Sequence, residues 1–181
     1  VPDPELSEEF DPGTTRVLVV AGDAPGVGDE VRGIEEAWLG GMVKVLAGPD
    51  ASELGVIGAV DESEILHFAT HAVADDRDPL ASHLQLSPDT NSDGLFHPVE
   101  IAEMPAGRKL VILSACETQA GKAFGGEGLM GLSRAFLSTG AESVVASQWL
   151  VGGETSRLME AFHQRLSTGT LASTALRAAQ L

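Results

Sequence analysis

LVILSA, residues 110–115, sets Leu110, Val111, Ile112 and Leu113 side by side with no polar break. A run of that kind suits a strand covered on both faces, as in a parallel sheet. Outward from it, 16–21 (RVLVVA), 42–46, 64–70 (EILHFAT) and 143–147 (SVVAS) read as four more strands. Helical spacing fills the gaps. Val31, Ile34 and Trp38 mark a helix over 29–39, and further helices are expected over 51–60, 128–139, 154–166 and 170–180. Alternating β and α units predict an α/β fold, a three-layer α/β/α sandwich with a mainly parallel central sheet. Residues 75–107 break the alternation and hold no clear helix–strand unit. Within them 82–86 (SHLQL) alternates like a hairpin strand, and Asn91, Asp93 and Gly94 are turn chemistry. A long insertion beside a site often shapes substrate binding.

In open α/β sheets, ligands bind beyond the carboxyl ends of the strands. That rule selects His71, Cys116 and the stretch 148–153. A thiol must lose its proton before it attacks a carbonyl, and a nearby imidazole removes it well. Taken alone, a free cysteine is more often a buried, inert side chain, and a lone histidine a satisfied structural one. Two strand ends that deliver Cys and His to one sheet edge favour catalysis. The other histidines are weaker candidates. His67 and His71 flank a strand end, so their side chains need not converge. His83 and His97 lie in the insertion, and His163 on a late helix reads as exposed. No second cysteine supports zinc, so no metal site is expected.

Bulk properties set further bounds. A chain of 181 residues fits one domain with a real core, and 43% hydrophobic with 21% charged residues is ordinary for a globular protein. The net charge of −16 argues against nucleic acid, which needs clustered Lys and Arg. A solvated acidic face is the plainer reading of that charge, and a preference for basic partners the sharper one. One cysteine permits no internal disulfide and fits a reducing compartment. No apolar run nears the roughly 18 residues of a membrane span. A cytoplasmic location without membrane contact is expected. Three prolines and five acids within 1–13 make 1–15 a linker or frayed lead-in to a domain over 16–181. The chain does not begin with Met, and it reads as a fragment of a longer protein.

Gly126, Gly128 and Gly131 spell G-x-G-x-x-G. A dinucleotide fingerprint needs those glycines directly after a strand. Here the nearest strand ends about ten residues earlier, so a loop closing over a site is the better reading. Ser114, Ser133 and Ser147 lie in no nucleophile elbow.

Several longer motifs act together. ILHFATHA at 65–72 resembles the histidine motif of CHAT domains, and LVILSACET at 110–118 resembles their cysteine motif. EGLMGLSRAF at 127–136 resembles the helix that comes after it. Gly140, Ala141 and VVASQW at 144–149 are similar to the fifth strand and its exit. Leu158, Met159 and Phe162, then ALRAAQ at 175–180, resemble the closing helices. The likeness runs in order over 16–181. It implies a caspase-like fold, allied to caspases, separases and gingipains, with a Cys/His dyad and no cofactor. By this resemblance His71 is the general base or acid and Cys116 the nucleophile. The backbone amides of Ala72 and Cys116 are then the oxyanion donors. Gln148, Trp149, Gly152 and Gly153 are the expected substrate-binding wall. The chain departs from the family pattern at Ala72 and Gln119, where relatives often carry Gly. It also departs at Gly152 and Gly153, where two Asp are common, so the resemblance does not carry a strict preference for basic residues before the cut.

The leading expectation is a cysteine endopeptidase that cleaves a protein partner. It would be the regulated effector domain of a larger bacterial protein, with a repeat array such as tetratricopeptide units in the same chain. Loops 75–93 and 119–127 are the natural gates. A non-catalytic CHAT interaction module is the alternative. A small-molecule domain using the 126–131 glycines, with no role for Cys116, is a third reading.

Overall fold

The computed structural model describes residues 10–104, 107, 109–114, 116–117, 127–147 and 155–181, with Cys116 and Glu117 as backbone. Five strands form the central sheet: β1 (Arg16–Ala21), β2 (Met42–Ala47), β3 (Ile65–Ala69), β7 (Leu110–Leu113) and β9 (Ser143–Ala146). Their order is β2-β1-β3-β7-β9, and every pairing is parallel. All five match the strands expected from the sequence. The helices are α1 (Val27–Ala37), α2 (Glu53–Val60), α3 (Pro98–Glu103), α4 (Glu127–Ser138), α5 (Thr155–Leu166) and α6 (Ala172–Ala179). Ser52 caps α2, its hydroxyl accepting from the Gly55 N–H.

Strand alternation assigns the two layers of core. Leu18, Val20, Leu66, Phe68, Val111 and Leu113 face α2, α3 and α4, against Val56, Ile101 and Phe136. Val17, Val19, Ile65, Leu110 and Ile112 face α1, α5 and α6, against Ile34, Met159, Phe162 and Ala175. Central strands buried on both faces need apolar residues at every position, which is why 110–113 shows no polar break. Phe10, inside the expected lead-in, packs edge-on against Trp38. Among the described residues no helix is long and apolar enough to cross a membrane.

The 75–107 insertion carries more structure than expected. It contains β5 (His83–Gln85), β6 (Leu95–Phe96) and α3. With β4 (His71–Val73) and β8 (Cys116–Glu117) these strands form a second sheet, ordered β6-β5-β4-β8. The strands of this sheet are two or three residues long, too short to print a period.

One polar residue interrupts the core face of β3. His67 is fully buried among the α1 and α5 side chains, and the structure supplies it with partners on both helices. The Trp38 Nε1–H donates to His163 Nδ1 at 3.0 Å. His163 Nε2 lies 3.0 Å from His67 Nδ1, and His67 Nε2 lies 2.7 Å from Glu30 Oε1. Indole can only donate. His163 therefore carries its proton on Nε2 and donates to His67, which in turn donates from Nε2 to the Glu30 carboxylate. Neutral rings admit no other arrangement. The expectation that His163 is exposed is corrected: it is completely buried, because Trp38 and His67 accommodate both of its nitrogens.

Burial first, and the neighbouring His67 second, hold His163 well below the ordinary imidazole value. The unfolded chain thus binds a proton near pH 6.5 that the folded chain refuses. This contribution to stability is complete above about pH 6.5 and erodes as the pH falls below it. Urea denaturation at pH 7.5, 6.5 and 5.5 should show a falling midpoint, and His163→Asn should flatten the drop. Glu30→Ala leaves the buried His67 N–H without an acceptor, and should cost about 2 kcal/mol at pH 7.5 by the same measurement.

Candidate functional site

The central strands β3 and β7 lie side by side, with Phe68 opposite Leu113. The Ser114 N–H carries the pairing one step further by donating to the Phe68 carbonyl at 2.9 Å. Both chains then turn into the second sheet. There β4 and β8 pair in parallel, with His71 opposite Cys116 and Ala72 opposite Glu117. The two sequence-selected residues are thus direct backbone neighbours beyond the carboxyl end of the central sheet. On its other side β4 pairs with β5, Ala72 opposite Leu84, and Ala72 is buried.

The His71 side chain is about one-fifth exposed, and its Nε2 lies 3.7 Å from Asp23 Oδ1. Asp23 is almost wholly exposed, so this pair is screened by water. His71 Nδ1 is buried with no hydrogen-bond partner among the described residues.

Gly22 sets the spacing at this edge. Its N–H donates to the Ala69 carbonyl at 2.9 Å. A Cβ on Gly22 would stand 2.9 Å from Thr70 Cβ, closer than real contacts allow. Thr70, whose hydroxyl donates to the Gln85 carbonyl, immediately precedes His71. A cavity of about 430 Å³ is lined by Gly22, Asp23, Gln85 and Asp93 among others, and not by Thr70 or His71.

A second glycine holds the chain just past His71. Gly128, at the start of α4, lies against the backbone at 74–75. A Cβ there would come within 2.6 Å of the Asp75 nitrogen. Asp75 in turn closes a tight turn, its Oδ1 accepting from the Arg77 and Asp78 N–H groups. These hydrogen bonds, the largest first from Asp78, hold its carboxyl below the ordinary range. The helix expected over 128–139 is observed as α4, so Gly128 and Gly131 belong to a helix rather than to a loop.

The remaining candidates divide simply. Gln148, Trp149, Gly152 and Gly153, with most of the 119–127 gate, lie outside the described residues. His67 belongs to the buried chain, apart from His71. The His83 and His97 rings meet edge-on at 5.1 Å, and their Nδ1 atoms face the carbonyls of Ala81 and Ser82. Among the described residues, no group of three His, Cys, Asp or Glu side chains is arranged to hold a metal ion. Asp23 was missed in the sequence. It lies two residues past the end of β1, after Gly22, and the carboxyl-end rule applied to β1 would have found it.

Comparison with known proteins agrees with this topology. A family model described as "CHAT domain" matches residues 7–181. Tetratricopeptide repeat protein 28 from Homo sapiens is similar, at 28% identity over 165 residues, covering 72% of this chain. The chain spans only 7% of the length of that relative. The chain belongs to the CHAT domain family, a family related to the caspase-like peptidases.

Proposed function

We propose that this domain is a cysteine endopeptidase, with Cys116 as nucleophile and His71 as general base and acid. The observation that carries the reading is the register of the second sheet, which sets His71 directly opposite Cys116. His71 takes the thiol proton, and the thiolate attacks the scissile carbonyl. The backbone N–H groups of Ala72 and Cys116 are the oxyanion donors in this reading. His71 then protonates the leaving amine, and water hydrolyses the acyl-enzyme. Gln148, Trp149, Gly152 and Gly153 remain the proposed substrate wall, beside a protein substrate. The tetratricopeptide name of the human relative supports a repeat array as regulatory partner in the same chain. A reducing compartment such as the cytoplasm keeps the single thiol available.

Peptide libraries and candidate partner proteins, incubated with the full chain and mapped by mass spectrometry, give the direct test. Cleavage should vanish in both Cys116→Ala and His71→Ala. Iodoacetamide should modify Cys116 rapidly in the folded protein at neutral pH, and His71→Ala should slow this by about tenfold or more. No cleavage, with a thiol that reacts only on unfolding, would sink the peptidase reading in favour of an interaction module.

Gly22→Ala offers a subtler probe. The new methyl group displaces Thr70 and with it the backbone of His71. The folded variant, checked by circular dichroism, should lose about tenfold or more in kcat/KM, since small misplacements of catalytic groups are costly. Unchanged turnover would show that the β1–β3 contact does not position the imidazole.

A further inference from the structure

The hairpin that closes the second sheet carries a pattern the peptidase reading leaves unused. Residues 89–100 read DTNSDGLFHPVE. Asp89, Asn91 and Asp93 alternate, Gly94 comes next, and Glu100 is the twelfth residue. That is the D-x-[DN]-x-[DN]-G-x5-E spacing of a calcium loop, which supplies oxygens from positions 1, 3, 5, 7 and 12. Turn chemistry alone does not require an acid at the twelfth place.

We propose that residues 89–100 form a calcium site in which Asp89, Asn91, Asp93 and Glu100 supply side-chain oxygens, Leu95 its carbonyl, and Glu53 a further carboxylate from α2. Gly94, at the sixth position, has a φ of +83°, and a Cβ there would stand 2.6 Å from the Leu86 carbonyl oxygen. Leu95 and Phe96 form the short strand β6, and α3 begins at Pro98, so Glu100 rides on the first turn of a helix. The loop is fastened to the start of α2. Asp89 Oδ2 accepts from the Leu54 N–H at 3.2 Å, and the Ser87 N–H donates to the Ala51 carbonyl at 2.7 Å.

Glu53 points to the ion independently of the loop. It is only 7% exposed, yet its Oε1 has no hydrogen-bond partner among the described residues. Ser92 of the loop and the acids Glu100, Asp89 and Asp93 are its neighbours. No Lys or Arg is among the groups that act on it. A buried carboxylate with an unpaired oxygen, beside three further acids, is costly without a cation. Hard oxygen donors favour calcium over a transition metal.

Asp93 Oδ1 accepts from the Leu95 N–H at 2.9 Å, and Glu100 Oε2 from the His97 N–H at 2.8 Å. Among the described residues no three acids already converge, so binding draws them inward. The loop is entered from a strand instead of a helix, and Pro98 stands at its tenth position. The competing reading is a hairpin turn leading into a capping box, which needs no ion.

Calorimetric titration of the whole chain with calcium chloride separates the two. One ion should bind with a sub-millimolar Kd, as in weaker natural loops, and saturating calcium should raise Tm. Magnesium should bind at least about tenfold more weakly. Asp93→Asn and Glu100→Gln keep an acceptor for the turn and the cap while removing charge. Each should weaken calcium binding about tenfold or more, together they should abolish it, and Glu53→Gln should act in the same direction. No heat and no change in Tm up to about 10 mM calcium would overturn the proposal. So would an equal response to magnesium, or binding that survives in the double variant. The readout is independent of Cys116 and so of the peptidase reading.

Discussion

The chain of hydrogen bonds from Trp38 through His163 and His67 to Glu30 is the constraint around which the α1–β3–α5 layer is built. It crosses three elements far apart in sequence. Every ring nitrogen and the indole N–H is used, so a shift of one helix leaves a buried group unpaired. Apolar packing alone tolerates small slips, whereas this chain has a single proton arrangement. It therefore ties α1 and α5 to β3 four residues before His71, just short of the strand's exit from the sheet.

That exit matters because the site is not on the central sheet. Two adjacent parallel strands run out together, turn, and pair again as β4 and β8. The first pairing brings the two chains alongside, and the second sets residue against residue. Gly22 then permits β1 to close against Thr70, and the β5–β6 hairpin completes the small sheet on the far side. The strand carrying His71 is thus held by β8 on one side and by β5 of the insertion on the other.

The layered fold was legible because its signal is periodic. LVIL at 110–113 and RVLVVA at 16–21 are apolar at consecutive positions, as doubly covered strands must be. The carboxyl-end rule then pointed to His71 and Cys116 with no knowledge of contacts. What stayed hidden was either short or non-local. The three residues of β4 and the two of β8 display no period. The six residues of α3 start with a proline inside a stretch that reads as loop. His163, beside Gln164 and Arg165, reads as solvent-facing until its partners, 96 and 125 residues earlier, are known. Composition says nothing about such distant pairings.

The close seat of Gly128 on the chain at Ala74 and Asp75 has a mechanical meaning. Backbone rests on backbone there, with no side chain between to flex and absorb a displacement. The strand carrying His71 ends at Val73, one residue before that seat. Any force that rocks the start of α4 is therefore delivered to β4 with little slack.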